Sequence, residues 1–302
     1  MRTVQELQRH SLPTVTAADF FVLLAHATGK EKVFLLAHPE YELAPTEEKK
    51  AKQSLERRLK HEPVAYIVGH KEFYGREFLV TSDTLIPRPE TELLIERVIA
   101  DLRLKITDRI SEYRNILVVD IGTGSGNIII TLAKEIEQTY PVSLPVRQAG
   151  SITYFGLDIS PAALAVAKKN AAHHDVADKI IFLESDLLKN FSLTHESNHH
   201  LVITANLPYL SEEIYHESDA DVRDYEPQSA LVSGHDGLDH YRRLLIELKR
   251  LARPTRTITV FLEISPEQTQ KLTDEIRGIF PQAELYTLHD LSGRDRLIQA
   301  TL

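Results

Sequence analysis

The stretch Asp120-Ile-Gly-Thr-Gly-Ser-Gly126 decides the fold, because its three glycines stand between an apolar run and a helical pattern. Ile116–Asp120 predicts a strand, and Asn127–Ile136 predicts the helix that follows it. Glycine lets the backbone turn sharply and lets a ligand approach without interference from a Cβ atom. This order of strand, turn and helix favours a nucleotide-like ligand at the turn, although a glycine-rich turn also serves simply to pack a helix on a sheet.

Alternating strand and helix patterns extend from this turn toward the end of the sequence. The further predicted strands are Ile152–Asp158, Ile180–Glu184, Leu201–Ala205, Thr257–Ile264, Leu285–His289 and Leu297–Thr301. Helices are predicted at Pro161–Ala172 and Tyr241–Leu251. Such alternation is typical of a parallel sheet covered by helices. We therefore predict the α/β class, with a Rossmann-like, mostly parallel sheet whose last two strands pair antiparallel at a C-terminal edge.

The residues before the turn have a different pattern. Residues 1–65 show helical spacing without strand-like alternation, which predicts a small helical domain. Residues 66–85 hold aromatic and β-branched runs around Gly69 and Gly75, which predict a β-hairpin linker. Pro89 suits the first position of another helix, so a larger α/β domain is expected at residues 86–302.

Composition and charge exclude several classes of function. The 302 residues contain no cysteine, which excludes disulfides, thiolate metal sites and thiol nucleophiles and fits a reducing cytoplasm. No stretch approaches the roughly 20 apolar residues that span a bilayer, so no membrane association is expected. The net charge of -9, with the acidic excess beyond residue 85, disfavours nucleic acid as a partner, because duplex binding usually needs a basic face.

Histidine pairs and polar stretches are assigned to the surface. His173-His174 and His199-His200 are adjacent residues, whereas two metal ligands on one helix face need i, i+4 spacing. No metal site is therefore expected. The polar stretches Tyr140–Ser151 and Ser192–His200 are predicted to be surface loops. The absence of a Gly-x-Ser-x-Gly elbow and of a P-loop argues against a hydrolase or an NTPase.

Acidic residues at two strand ends complete the predicted ligand pocket. Asp158 ends the strand after the glycine-rich turn, where its carboxylate is suited to accept hydrogen bonds from two ribose hydroxyls. Asp186 closes the next predicted strand in a similar way. The glycine spacing places Asn127 where a dinucleotide fingerprint has glycine, which makes NAD the weaker alternative.

The tetrapeptide Asn206-Leu207-Pro208-Tyr209 follows a predicted strand and is the candidate reactive site. The side-chain carbonyl of Asn206 and the backbone carbonyl of Leu207 can each accept one N–H of a flat NH2 group, which turns the nitrogen lone pair toward an electrophilic methyl group. Pro208 restricts Leu207 to extended conformations, and Tyr209 can stack on the planar group. Together with the glycine-rich turn, the tetrapeptide predicts a methyltransferase acting on a planar nitrogen, although alone it is also compatible with an ordinary turn.

The sequence resembles the release factor glutamine N5-methyltransferases, the PrmC/HemK family, over several stretches. These are Pro63–Gly69, Thr84–Glu92, Asp120–Gly126, Tyr225–Leu231 and Gly293–Arg296. The resemblance implies a class I methyltransferase fold, S-adenosyl-L-methionine as cofactor, and a peptide chain release factor as the protein substrate. It leaves the oligomeric state open, with a monomer compatible. The family tetrapeptide is usually Asn-Pro-Pro-Tyr, so Leu207 is a departure that removes one φ constraint but keeps the carbonyl.

The resemblance also implies roles for individual residues. The residues implied to contact the cofactor are Asp120, Gly122, Thr123, Gly124, Ser125, Gly126, Asp158, Asp186, Leu187 and Asn206. Those implied to hold the glutamine amide are Asn206, Leu207, Pro208 and Tyr209. The helical domain at residues 1–65 would then dock the protein substrate.

Two alternative functions remain open at this point. Asn-Leu-Pro-Tyr is also similar to the motif of ribosomal RNA adenine N6-dimethyltransferases, and adenine N6 presents the same two-hydrogen donor, so methylation of nucleic-acid adenine is the alternative. Those RNA enzymes carry a helical domain after the catalytic one, whereas here the extra helices come first, which favours a protein substrate. A module that binds the cofactor without turnover is the third hypothesis, motivated by Leu207 in place of proline.

Overall fold

The computed structural model describes residues 2–11, 15–107, 115–139, 151–193, 199–253 and 256–302. Within these residues, the first elements are the helices α1 (Val4–Ser11), α2 (Ala17–Thr28), α3 (Lys32–Ala37), α4 (Pro45–Arg58) and α5 (Val64–Val68). They enclose an apolar core of their own that includes the fully buried Phe20 and Leu35. Helix α2 begins after Thr16, whose hydroxyl accepts the N–H of Asp19, and ends at Gly29 in the left-handed conformation.

The predicted hairpin is present but shorter than residues 66–85. Strands β1 (His70–Phe73) and β2 (Arg76–Leu79) pair antiparallel. Tyr74 and Gly75 between them have φ values of 51° and 69°, which suit a two-residue hairpin turn. Residues 66–68 belong instead to α5, because Gly69, at φ 84°, ends that helix before the first strand begins.

A larger α/β region follows the hairpin. A 3-10 turn at Pro89–Thr91 leads into α6 (Glu92–Thr107). The later elements are β3 (Asn115–Ile121), α7 (Asn127–Thr139), β4 (Ser151–Asp158), α8 (Pro161–His173), β5 (Ile180–Glu184), β6 (His199–Ala205), α9 (Glu212–Glu217), α10 (Ala220–Tyr225), α11 (Asp239–Leu251), β7 (Ile258–Glu263), α12 (Thr269–Ile279), β8 (Glu284–His289) and β9 (Asp295–Thr301). The sheet has the order β5-β4-β3-β6-β7-β9-β8.

The pairing of these strands confirms the predicted fold class. Neighbours from β5 to β7 are parallel, and β9 runs antiparallel to both β7 and β8. Helices α11 and α12 contribute to the core on one face of the sheet, and α6 and α7 contribute to the core on the other. All six residues of β7 are buried, which explains why the central strands read as continuous apolar runs. The carboxyl ends of the parallel strands therefore share one edge, where ligands bind in open α/β sheets.

The surface assignment of the histidine pairs is wrong for His200. Strand β6 already begins at His199, and the His200 side chain is fully buried against the Thr259 hydroxyl, 3.1 Å from Nε2. His174 is half-buried, and its Nε2 donates to the backbone carbonyl of Glu77 at 2.8 Å. His173 is exposed as predicted. Most of the two predicted loops, residues 140–150 and 194–198, lies outside the described residues.

Two further expectations concern membranes and metals. Within the described residues, no helix combines the length and the apolar character needed to cross a bilayer. The same part of the chain contains no cluster of three or more histidine, aspartate or glutamate side chains arranged to hold a metal ion.

Candidate active site

The three glycines of Asp120–Gly126 all adopt positive φ, at 71°, 54° and 81°. Different neighbouring residues pack against Gly122 and Gly126. A Cβ atom on Gly126 would lie 2.8 Å from Ile130 Cδ1 and 3.2 Å from Ala167 Cβ, so this glycine permits close packing of α7 and α8. A Cβ on Gly122 would lie 3.1 Å from Leu207 Cδ2, so this glycine lets the loop approach the candidate reactive tetrapeptide. The loop therefore does more than pack a helix on the sheet.

The Asp120 side chain holds the glycine-rich loop in place. Its carboxylate accepts hydrogen bonds from the Thr123 hydroxyl at 2.6 Å and from the Thr204 hydroxyl at 2.8 Å. The side chain is fully buried, and burial raises the pKa of the Asp120 carboxyl to about 7. Asp120 thus connects the glycine-rich loop to β6, the strand that leads to Asn206.

Asp158 supports the same loop from the neighbouring strand. Its Oδ2 accepts the Gly124 N–H at 2.8 Å, and its Oδ1 accepts the Ser160 N–H at 2.9 Å. Burial raises the pKa of the Asp158 carboxyl, and these backbone hydrogen bonds partly oppose that rise. A carboxylate oxygen can accept more than one hydrogen bond, so both oxygens of Asp158 can still accept from ribose hydroxyls.

Asp186 and Leu187 lie just beyond the end of β5. The Asp186 carboxylate contacts Arg243 Nη2 at 2.6 Å and Lys189 Nζ at 2.5 Å. The hydrogen bond from Arg243 is the main reason that the pKa of Asp186 is lowered. Leu187 is buried and has a φ of 55°, a left-handed conformation that is uncommon outside glycine. Both predicted residues therefore occupy a sharply turned segment at the carboxyl edge.

The reactive tetrapeptide leaves β6 at the same edge. Asn206 Nδ2 donates to the Thr91 hydroxyl at 3.1 Å, and Leu207 is buried beside Gly122. The backbone carbonyl of Tyr209 accepts the Gln268 Nε2 donor at 2.8 Å. Burial raises the pKa of the Tyr209 phenol. The structure thus brings the glycine-rich loop and Asn206–Tyr209 together, as the sequence predicts, and anchors the tetrapeptide on both sides.

Two family models and several known proteins are similar to this chain. Residues 2–69 match the PrmC N-terminal domain, and residues 113–262 match a methyltransferase domain. The release factor glutamine methyltransferase of Bacillus subtilis (strain 168) is 37% identical over 281 residues, which cover 93% of this chain and 90% of that protein. The protein of the same name from Nitratidesulfovibrio vulgaris is 35% identical and is covered to 95%, with 99% of this chain aligned.

The chain belongs to the release factor glutamine methyltransferase family. Among solved structures, the hMettl16 catalytic domain in complex with MAT2A 3′UTR hairpin 1 gives a TM-score of 0.53 at 13% identity, covering 84% of this chain and 79% of that chain. The complex of the same domain with hairpin 6 gives a TM-score of 0.50 at 16% identity, covering 74% of each chain. At these identities the likeness shows a shared methyltransferase fold and nothing of the substrate.

Two stretches that suggested the family resemblance contact each other in the structure. Glu226, which is buried, accepts the Ile86 N–H at 3.1 Å and pairs with the guanidinium of Arg88. This contact ties the segment before α6 to the segment after α10. It places Thr91, at the end of the 3-10 turn, beside Asn206.

Sequence reasoning missed two residues at this site, Thr91 and Glu263. Both are buried, and Thr91 accepts the Asn206 Nδ2 donor. Burial raises the pKa of the Glu263 carboxyl to about 7, and the side chains of Thr91 and Asn206 partly oppose that rise. A signal for Glu263 was available, because it is an acidic residue at the carboxyl end of an apolar strand, as Asp158 is. No comparable signal marks Thr91.

Proposed function

We propose that this chain transfers the methyl group of S-adenosyl-L-methionine to the side-chain amide nitrogen of a glutamine in a peptide chain release factor. The observation that carries the proposal is the contact between the glycine-rich loop and the Asn206–Tyr209 segment, with Leu207 filling the space that a Cβ on Gly122 would need. Membership of the release factor glutamine methyltransferase family supports the choice of a glutamine amide over an adenine amine.

The residues at the edge of the sheet fit S-adenosyl-L-methionine. A Cβ on Gly124 would meet only the Gly122 carbonyl, at 3.9 Å, so the loop leaves its backbone open to a ligand there. Asp158 offers carboxylate acceptors, and Asp186 and Leu187 form the neighbouring turn. Thr123 and Ser125 are buried within the loop, and Asp120 holds it in place. When bound, the cofactor supplies an electrophilic methyl group on a sulfonium sulfur.

Asn206 is the residue that we assign to the substrate amide. Its Nδ2 donates inward to Thr91, so its Oδ1 is the atom left to accept an N–H from the glutamine. With the Leu207 carbonyl as a second acceptor, both N–H bonds of the substrate are held and positive charge developing on nitrogen is stabilised. In this proposal Pro208 keeps Leu207 extended, and Tyr209 supplies the aromatic ring that covers the planar group. Leu207 therefore replaces the family proline without loss of the acceptor.

We assign substrate docking to the helical region at residues 1–65, the connection to residues 66–85 and methyl transfer to residues 86–302. Tyr225, after the reactive tetrapeptide, donates its hydroxyl to the Lys60 carbonyl at 2.6 Å, so the helical region reaches the catalytic edge. A cavity of about 650 Å³ in the helical region is lined by charged and polar side chains, among them His26, Lys50 and Glu56. Charged side chains such as these can form ion pairs with a protein substrate. We place the reaction in the cytoplasm.

The test is methyl transfer to a recombinant release factor. The purified chain is incubated with S-adenosyl-L-methionine and the release factor, and the modified residue is located by mass spectrometry. We expect one glutamine to gain 14 mass units, and the gain to disappear when that glutamine is changed to alanine. Parallel incubations with ribosomal RNA and with DNA test the adenine alternative. Methylated adenine without methylated glutamine would overturn the proposal, as would cofactor binding without any methylated product.

A further inference from the structure

The fully buried side chain of Asn170, on α8, joins two segments that lie far apart in the sequence. Its Nδ2 donates to the Ser125 carbonyl of the glycine-rich loop at 2.8 Å. The same nitrogen donates to the Leu79 carbonyl of β2 at 3.0 Å, and Oδ1 accepts the Leu79 N–H at 2.8 Å. One amide group therefore connects the glycine-rich loop to the hairpin that follows the helical region.

These three hydrogen bonds define the orientation of the Asn170 amide. A side-chain amide offers two N–H donors and one carbonyl oxygen, and here both donors and the oxygen are in use. The Leu79 N–H needs an acceptor and the Ser125 carbonyl needs a donor, so the opposite orientation would place like groups together. Asn170 and Ser125 are both buried, so water is poorly placed to replace a lost partner.

On the side of the loop, Asn170 restrains the peptide unit between Ser125 and Gly126. The carbonyl of this unit accepts from Asn170, and its N–H, which belongs to Gly126, donates to the Thr123 carbonyl at 2.7 Å. Asp158, at the end of β4, accepts an earlier N–H of the same loop at 2.8 Å. The backbone of the glycine-rich loop is thus held from α8 as well as from β4.

On the side of the hairpin, α8 covers one edge of β2. Leu79 is bonded to Asn170 through both of its backbone groups, and His174 Nε2 donates to the Glu77 carbonyl at 2.8 Å. Alternate residues of a strand direct their backbone groups to the same edge, so two side chains one helical turn apart take the place of a neighbouring strand. Among the described residues, the hydrogen bond of His174 reaches only the hairpin, whereas those of Asn170 also reach the loop.

We infer that Asn170 is a positioning residue through which the glycine-rich loop and the hairpin restrain each other. S-adenosyl-L-methionine bound at the loop restrains Ser125, and Asn170 transmits that restraint to Leu79. The next residue of the hairpin, Val80, donates its N–H to the carbonyl of Gly69 at the end of α5, so the restraint reaches the connection to the helical region. Asn170 touches neither cofactor nor substrate in this scheme. The inference rests on the part of the proposed function that places the cofactor at the glycine-rich loop.

The affinity for S-adenosyl-L-methionine, measured by calorimetry, tests the contact with the loop. We expect Asn170→Ala to weaken binding about 10-fold, because the buried Ser125 carbonyl loses a donor. Asn170→Asp keeps the size and the acceptor for Leu79 but replaces the donor nitrogen by an oxygen, so we expect at least the same loss. The matched control is His174→Ala, which removes a hydrogen bond between the same helix and the same strand and should leave the affinity unchanged.

A second control separates loss of affinity from loss of stability. Val176 is fully buried in the turn after α8, and Val176→Ala removes buried methyl groups without removing a hydrogen-bonding side chain. Urea unfolding compares its stability with that of Asn170→Ala. We expect Val176→Ala to be destabilised and to keep its affinity for the cofactor.

Hydrogen exchange of the unaltered chain tests the coupling itself and does not depend on whether a variant folds. We expect saturating S-adenosyl-L-methionine to slow exchange in peptides that cover β2 as well as in those that cover the glycine-rich loop. Peptides of α2 are the reference, because α2 packs in the separate core of the helical region. In Asn170→Ala the slowing at β2 should disappear, whereas His174→Ala should keep it.

The outcomes separate this inference from the proposed function. A chain that binds no S-adenosyl-L-methionine overturns both, and one that binds the cofactor but methylates no release factor overturns the proposed function alone. If the cofactor binds but exchange at β2 does not change, or if the two Asn170 variants bind it as His174→Ala does, the inference alone is overturned. An equal loss of affinity in Val176→Ala would also overturn it. Weaker binding confined to the Asn170 variants, together with cofactor-dependent slowing at β2, supports it.

Discussion

The helical region at residues 2–69 and the carboxyl edge of the sheet bury very different side chains. Within the described part of the helical region, the buried residues are apolar with the exception of Ser54. The carboxyl edge buries Asp120, Thr204, Glu226 and Glu263, each of them in contact with a segment that leads to the reactive tetrapeptide or to the loop beside it. Apolar packing stabilises the first region, whereas buried polar contacts at the second fix the geometry of a site. The comparison predicts that stability and catalysis respond to different substitutions.

The largest expected effect on stability lies in the helical region. Phe20 is fully buried in its core, and Phe20→Ala should lower the free energy of unfolding by about 3 to 5 kcal/mol. Chemical denaturation followed by circular dichroism measures this loss. We expect the affinity for S-adenosyl-L-methionine, measured by calorimetry on the folded variant, to be unchanged. A parallel loss of cofactor affinity would contradict the separation, because it would show that packing in the helical region also determines cofactor binding.

The opposite pattern is expected at Asn206. Asn206→Ala removes a half-buried side chain from the sheet edge and should reduce kcat about 10²- to 10³-fold, since one preorganised acceptor is lost. The midpoint of thermal unfolding should change little. Steady-state methylation of the release factor and a thermal scan provide the two measurements. A variant that loses stability but keeps kcat would show that Asn206 stabilises the fold and does not act in catalysis.

The buried Glu263 should make the stability of the sheet region depend on pH. Its folded pKa, about 7, lies above the unfolded value, so the folded state binds more protons than the unfolded state between roughly pH 4.3 and 7. The free energy of unfolding contributed by this group therefore decreases as pH rises through that window. Glu263→Gln lacks the ionised form and should be more stable than the unaltered chain by about 1 to 3 kcal/mol at pH 8, with little difference near pH 4. Urea unfolding at both pH values checks the sign, and a variant destabilised equally at both would contradict it.

The smallest effect is expected for an ion pair on the helical region. Glu62 accepts from Arg57 at 2.5 Å, and the Arg57 side chain is 47% exposed. Glu62→Gln should lower the free energy of unfolding by less than about 1 kcal/mol, because water and salt reach the pair from the Arg57 side and screen it. The difference should shrink further when unfolding is repeated in high salt. A loss as large as that of Phe20→Ala would mean that charge, and not apolar packing, stabilises this region.

The sheet could be predicted from the sequence because its central strands β3, β6 and β7 are buried on both faces. Short apolar runs such as Ile116–Asp120 and Leu201–Ala205 are typical of strands buried on both faces. They lie inside the observed strands β3 and β6, respectively. Helices α9 and α10 were missed because each has six residues and together they bury only Tyr215. Helix α12 did carry a signal, since Leu272 and Ile276 have the i, i+4 spacing of a buried stripe.

The site was predictable only in part, for a different reason. Gly122–Gly126 and Asn206–Tyr209 stand out because a local sequence imposes a local conformation. Thr91 and Glu263 do not, because they come near Asn206 only through the positions that the rest of the fold gives to α6 and β7. The surface assignment of His200 was wrong for a similar reason. Polar residues precede it in the sequence, so the sequence does not show that β6 already begins at His199. Local chemistry can be read from short stretches, whereas contacts between distant segments require the assembled sheet.

The position of β9 has a consequence for biosynthesis. This strand lies between β7 and β8 in the sheet although it follows both in the chain. While the ribosome is still adding residues before Asp295, β7 has its neighbour β6 but lacks β9 on its other side, and β8 lacks the strand with which it pairs in the described part of the chain. Until β9 is made, one edge of the apolar strand β7 is unpaired in the nascent protein. An unpaired strand edge of this kind is prone to associate with other chains. Completion of the domain is a late event that depends on the emergence of Asp295–Thr301.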